Sequence, residues 1–125
     1  MKTGGLLNPD LNFALARLGH TDRFAIADCG LPIPRSVPVI DLSLVLGFPE
    51  FERVCVAVLA EVVVEAVTVA VQMPQQLRVV LPDVAVHEVD HEEFKRLISE
   101  CSFVVRTGST VPYANAIFHA GVPFS

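Results

Sequence analysis

Long hydrophobic runs are absent from this 125-residue chain, although 52% of it is hydrophobic. The longest, Val62 to Val71, is broken by Glu65 and Thr68. It falls short of the roughly 18 to 20 apolar residues that cross a bilayer, so no membrane partner is expected. Basic residues are few: 9 Lys and Arg against 14 Asp and Glu leave a net charge of −5. Nucleic-acid binding without sequence preference needs clustered cations, and that class is excluded. Cysteine is scarce, with Cys29, Cys55 and Cys101 forming an odd set without CxxC spacing. Neither a disulfide framework nor a structural zinc site is expected from it. The opening Met1-Lys-Thr-Gly-Gly carries no apolar segment of the signal-peptide kind, which predicts a cytoplasmic protein. Neither a Walker loop nor GxGxxG occurs.

What is there in excess is Val, Leu, Ile and Phe. The length predicts one domain over residues 1–125 with one core. A core of that size cannot hide so much apolar surface, and the remainder points to burial against further copies of the chain. Scattered exposed apolar side chains are normal, so the alternative is a monomer with a partly apolar surface.

Asn8-Pro9-Asp10 reads as a helix start, with Asn as N-cap, Pro in the first turn and an acid facing the dipole. Leu11, Leu15 and Leu18 continue at helical spacing, and Gly19 suits the position past the end. Arg23 to Asp28 reads as a buried strand ending in an acid. The segment from Gly30 to Pro38 carries Pro32, Pro34 and Pro38 and must be a stiff loop. Val39 to Leu46 is expected as a short strand and Pro49 to about Ala60 as a helix. Val62 to Gln72, rich in β-branched residues, predicts a central strand. After a linker at Met73–Gln76, Leu77 to Val80 and Val84 to Val89 look extended. His91 to Ser99 looks helical with Asp90 as N-cap; Phe103 to Arg106 and Ala114 to His119 are the last strands. Alternating strands and helices predict an α/β domain with a central mixed sheet flanked by helices.

His87-Glu-Val-Asp-His91 matches HExxH, a zinc motif that works only on a helix, where residues four apart share a face. The alternation of Val84-Ala-Val86 predicts a strand here, and on a strand the two histidines stand about 13 Å apart. No metal is expected. His20, between the first helix and the first strand, is either a proton shuttle or a helix-end histidine resting on the dipole. Asp28, at the C-terminal edge of a strand, is either a ligand group or an Asx-turn residue. Tyr113-Ala-Asn115 is by default a turn with a packed tyrosine, and Arg106-Thr-Gly-Ser-Thr110 is only weakly like an anion loop. Cys29 beside Asp28 reads as packing.

Taken in order, these segments resemble the D-ribose pyranase family, which shares a superfamily with the fucose mutarotases. The matching stretches are Leu18-Gly-His20-Thr-Asp22, Asp28-Cys-Gly-Leu-Pro-Ile-Pro34, Asp90-His91-Glu-Glu-Phe94, Arg106-Thr-Gly108, Pro112-Tyr-Ala-Asn115 and Ala120-Gly-Val122. The resemblance implies a cofactor-free isomerase that interconverts the pyranose and furanose rings of D-ribose. His20 would be the catalytic proton donor, and Asp28, His91, Tyr113, Ala114 and Asn115 would bind the sugar. It also implies a ring-based homo-oligomer, usually a decamer, with sites at subunit boundaries. Fucose relatives tend to carry arginine where His91 stands and to lack the Leu-Pro-Ile-Pro run, which favours ribose. The stretch Met73 to Asp83 is shorter than the helical segment such proteins carry there, which bears on assembly and on cover of the sheet.

Ring exchange opens a cyclic hemiacetal and closes it through another hydroxyl, work for positioned acids and bases without metal or redox centre. A mutarotase for another monosaccharide such as fucose, or a sugar-binding protein without catalysis, would use the same pocket. Only the enzyme needs titratable groups at His20, Asp28 and His91 together.

Overall fold

Strand β1 (Arg23–Ala27) places four fully buried residues in a row, Phe24 to Ala27. Such a run needs cover on both faces. A computed structural model of the chain, describing residues 1–125, supplies it on either side of a six-stranded sheet. The other strands are β2 (Val39–Asp41), β3 (Val64–Ala70), β4 (Ala85–Val89), β5 (Phe103–Arg106) and β6 (Ala116–Ala120), in spatial order β2-β5-β1-β6-β3-β4. Strands β2, β5 and β1 run parallel, as do β3 and β4, and β6 lies antiparallel between the two groups. The C-terminal ends of five strands therefore meet the N-terminal end of β6 along one edge of the sheet. This edge holds most of the chemistry.

One face carries Phe24, stacked 5.3 Å from both Phe103 and Phe118 on the neighbouring strands. Helices α1 (Pro9–Ala16) and α2 (Phe51–Leu59) cover it through Leu11, Phe51, Val54 and Val58. The opposite face presents the small Ala25, Ala27 and Ala70, on which α3 (His91–Leu97) packs through Phe94, with Ile98 beyond it.

The expected helix starts hold. Asn8 Oδ1 accepts from Leu11 N–H at 2.9 Å with Pro9 behind it, and Asp90 accepts from Glu92 N–H at 3.0 Å. Several boundaries differ. Helix α1 ends at Ala16, and the left-handed residue that follows is Thr21 (φ 74), not Gly19, whose N–H is taken by Asp22 Oδ2 at 2.8 Å. Strand β2 stops at Asp41 because its carboxylate accepts from Ser43 N–H at 2.9 Å, an Asx turn that bends the chain out of the ladder. The last strand starts at Ala116, not Ala114, since Tyr113 has φ 65 and its carbonyl accepts from Asn115 N–H at 2.9 Å. The helix after Asp90 closes at Leu97 and continues as a 3₁₀ turn, Ile98–Glu100.

The stretch expected as extended, Leu77 to Val80, is instead a 3₁₀ helix over Gln75–Val80. Pro74 and Pro82 bracket it, and burial of Met73 and Leu77 in the main core favours the tighter winding. Short as it is, Met73–Asp83 keeps Val67 and Val69 of β3 fully covered. No helix is long and apolar enough to cross a membrane.

Candidate active site

Asp28 follows the last residue of β1, and Asn115 precedes the first residue of β6. Because those strands are antiparallel neighbours, residues 87 positions apart become adjacent. The two side chains lock reciprocally: Asp28 N–H donates to Asn115 Oδ1 at 2.8 Å, and Asn115 Nδ2 donates to Asp28 Oδ2 at 3.1 Å. Gly30 N–H donates to Asp28 Oδ1 at 2.8 Å. The carboxylate is thus fixed in orientation while lone pairs remain for a ligand. Asn115 is 1% exposed, so the amide is a rigid mount.

The loop beneath is equally fixed. Thr107 Oγ1 donates to Ala27 C=O at 2.8 Å and accepts from Ser109 N–H at 3.1 Å, while Cys29 N–H donates to Ser109 C=O at 2.9 Å. The Arg106–Thr110 segment is therefore a structural clasp and not an anion loop; Arg106 itself pairs with Asp41 at 3.0 Å.

His91 opens α3 beside this edge. Its ring lies edge-on to Tyr113, centroids 4.9 Å apart, and parallel to Phe94 at 6.5 Å. Its Nδ1 is buried without a hydrogen-bond partner. A recess of about 300 Å³ joins Asp28, Gly30, Leu31, Pro32, His91, Lys95, Pro112 and Tyr113. That volume lies at the lower end of ligand pockets, suited to a small molecule. Ala114, next to Tyr113 in sequence, is fully buried in the main core and does not line the recess. Lys95 escaped the sequence reading. Its signal was position: four residues after His91 on the same helix, it shares the face that histidine presents.

His20 does not join them. It precedes β1 whereas Asp28 follows it, and five residues at about 3.3 Å each separate the two by roughly 17 Å. At its own end His20 Nε2 lies 3.0 Å from Glu65 Oε2. Nearby, His119 Nε2 meets Thr68 Oγ1 at 3.0 Å. Burial, followed by the charges of Arg23 and His87, lowers the pKa of His119.

The HExxH residues straddle an element boundary as the alternation implied, with His87 on β4 and His91 starting α3. No three His, Cys, Asp or Glu side chains converge as a metal centre requires. The two buried thiols, Cys55 and Cys101, are unsuited to nucleophilic work. Burial pushes Cys55 far up and Cys101 up to about 12. A larger cleft, about 440 Å³, opens beside α1 and is lined by Asp10, Phe13, Arg17 and Asp22 among others. It contains none of His20, Asp28, His91, Tyr113 and Asn115.

Comparison with known proteins bears on this edge. The model of the RbsD / FucU transport protein family matches residues 1–123. A D-ribose pyranase of Corynebacterium glutamicum is 56% identical over 124 residues, covering 99% of this chain and all of the relative. Bacillus subtilis RbsD, solved in complex with D-ribose, superposes with a TM-score of 0.91 at 42% identity, covering 99% of this chain and 100% of the other. A fucose mutarotase from Streptococcus pneumoniae, solved with L-fucose, shares the fold alone at 20% identity, with a TM-score of 0.75 and 94% coverage of each chain.

Proposed function

This chain belongs to the RbsD / FucU transport protein family, and from that premise we propose that it is a D-ribose pyranase. It interconverts the pyranose and furanose forms of ribose by general acid–base catalysis. The observation that carries the reading is the recess at the C-terminal edge of the sheet. There the locked Asp28–Asn115 pair, His91, Lys95 and Tyr113 offer donors and acceptors at a spacing suited to sugar hydroxyls. Full-length similarity to D-ribose pyranases supports ribose as the sugar.

Opening the pyranose breaks the bond between the anomeric carbon and O5. The bonding electrons go to O5, which takes a proton, while the anomeric hydroxyl gives up its own and becomes the aldehyde. Closing through O4 runs the same exchange in reverse. We assign the proton donor to His20, Asp28 to accepting hydroxyl hydrogen bonds, Tyr113 to orienting the ring, and Asn115 to the sugar site as the residue that fixes the Asp28 carboxylate. His91 and Lys95 complete the polar wall, while Ala114, which the family resemblance adds, is buried in the single chain. Such positioned groups are worth roughly 10²- to 10⁴-fold in rate.

Since β1 keeps His20 away from Asp28 within one chain, the site takes its histidine from a second copy. Surface chemistry supports that assembly. Leu44, Val45, Leu46 and Phe48 project on one turn, with Leu46 84% exposed. That turn is clasped to the site edge by Gly47 N–H to Gly108 C=O at 2.6 Å and Gly108 N–H to Pro49 C=O at 2.8 Å. A Cβ on Gly108 would fall 2.1 Å from Phe48 O, so the clasp requires glycine. A copy docked on this apolar turn sits at the same edge of the sheet as the recess. These features support a homo-oligomer, for which the family resemblance implies a ring-based decamer. Three unpaired cysteines support a reducing, cytoplasmic setting.

Saturation-transfer NMR between ribose pyranose and furanose signals tests the reading. His20→Ala and Asp28→Asn should each abolish accelerated exchange while the oligomer persists. Co-assembled, they should restore activity at about a quarter of the sites, the fraction in which random pairing reunites two intact halves. Ribose binding without exchange in the unsubstituted protein would overturn the enzyme reading; no recovery on co-assembly would overturn the two-copy site.

A further inference from the structure

We propose that Glu65 is the positioning residue of His20, holding its imidazole so that Nδ1 is the atom that exchanges protons with the sugar. The inference rests on the ring-isomerase reading and names the partner of its acid–base group.

Three local features aim the two side chains at each other. The β3–β6 ladder pairs Val64 with Ala120 and then Ala66 with His119, so Glu65 is the residue the register skips. Such an irregularity redirects a side chain that a regular strand would send straight out from the sheet. Gly121 faces it: a Cβ there would lie 3.2 Å from Val63 Cγ1 and 3.4 Å from Glu65 Cβ, and its absence leaves room for the carboxylate. On the other side, Thr21 is held at φ 74, an outlier for a β-branched residue, with its N–H on Ala120 C=O at 2.9 Å. That strained turn presents His20 to Glu65, with Nε2 3.0 Å from Oε2.

The nearest cations have hydrogen-bond or ion-pair partners of their own, although the Glu65 charge is also felt by His119. Arg23 is engaged by Glu100 at 3.3 Å, and His119 by Thr68 at 3.0 Å. Both members of the His20–Glu65 pair are half exposed, with side chains at 52% and 47%. An ion pair so exposed adds little to stability. Strain at Thr21 is offset by its backbone bond to Ala120 and not by the His20–Glu65 pair, and such strain is often found where geometry serves function.

A carboxylate that accepts from Nε2–H fixes the neutral tautomer with its lone pair on Nδ1. When the ring opens, protonated His20 gives the Nδ1 proton to O5 as the C1–O5 bond breaks toward oxygen. The anomeric hydroxyl meanwhile loses its proton to a group of the recess, and its electrons complete the aldehyde. Throughout, Nε2 keeps its proton on Glu65, so the imidazole neither rotates nor changes tautomer between half-reactions.

Glu65→Gln and Glu65→Ala, in the full-length oligomer, test this with two readouts. In ribose exchange, kcat should fall roughly tenfold for Gln, which still accepts from Nε2–H, and roughly 100-fold for Ala, with KM and melting temperature little changed. In ¹⁵N spectra of the imidazoles, His20 of the unsubstituted protein should be mainly the Nε2–H tautomer, with the Ala variant a mixture. Unchanged kcat in both variants, or a His20 tautomer indifferent to both, would overturn the proposal. Should the unsubstituted protein fail to exchange ribose rings, the isomerase reading fails instead, and the tautomer measurement still judges the dyad.

Discussion

Replacing Asn115 by Asp keeps the shape of the site and changes one charge, which makes its cost calculable. The introduced carboxyl stands where Nδ2 now donates to Asp28 Oδ2 at 3.1 Å. Two carboxylates at that separation repel by about 5 kcal/mol at an effective dielectric of about 20. This corresponds to a second ionisation raised by roughly four units. The recess opens Asp28 to solvent on one side, and screening reduces the rise to about two units. Between about pH 4 and 6 the folded variant thus holds one proton that its unfolded chain has released. The unfolded state binds fewer protons, so stability falls with rising pH at about 1.4 kcal/mol per unit. The deficit levels off near 3 kcal/mol above about pH 6. Below pH 4 it nearly vanishes, because the protonated acid donates to Asp28 as the amide did. Urea denaturation of Asn115→Asp and the unsubstituted chain at one protomer concentration, from pH 4.5 to 7.5, measures the difference directly. A deficit constant across that range would refute the reciprocal lock.

Three other substitutions probe the site edge, the strand before it and the core. His91→Ala should weaken ribose binding by roughly 1.5 to 3 kcal/mol in calorimetry, the worth of a hydrogen bond with a charged partner. His87→Ala on β4 should be silent and a chelator should leave ring exchange untouched; equal losses at both histidines would restore a zinc reading. Phe24→Ala removes the centre of the three-ring stack joining β5, β1 and β6 and should cost about 3 to 5 kcal/mol of stability. A loss under about 1 kcal/mol in denaturant titration would show that the stack contributes only its edges.

Much of the architecture was legible because local physics decides it. Asn8-Pro9 and Asp90 announce helix starts through their own side chains, and the buried run at Phe24–Ala27 needs no partner to be recognised. Boundaries set by turns were less legible. Asp41 ends β2 by capturing Ser43 N–H, an option that apolar alternation through Leu46 conceals. The 3₁₀ winding of Gln75–Val80 depends on Leu77 and Met73 finding the core, which only the assembled sheet reveals. The site divides in the same way. Asp28, His91 and Asn115 were nameable one by one, but their meeting depends on β6 running against β1. Lys95 could have been found from helical spacing alone.

The separation of His20 from Asp28 was, by contrast, already written in the spacing. A residue just before a five-residue strand and one just after it occupy opposite edges of any sheet that contains the strand. A chemistry that needs both residues on one sugar therefore cannot be completed by a single folded chain, however the remaining elements pack. On the proposed division of the site, a second copy docks so that one copy's β1 start meets the other's β1 end. The apolar turn at Leu44–Phe48, clasped through Gly108 to the loop after β5, offers such a docking surface at the same edge of the sheet as the recess. Function and assembly then stand or fall together. A charge placed on that turn, Leu46→Asp, should both dissociate the oligomer in light scattering and abolish ribose exchange, while the circular dichroism of the sheet remains. Full activity in a dissociated protomer would contradict the division of the site.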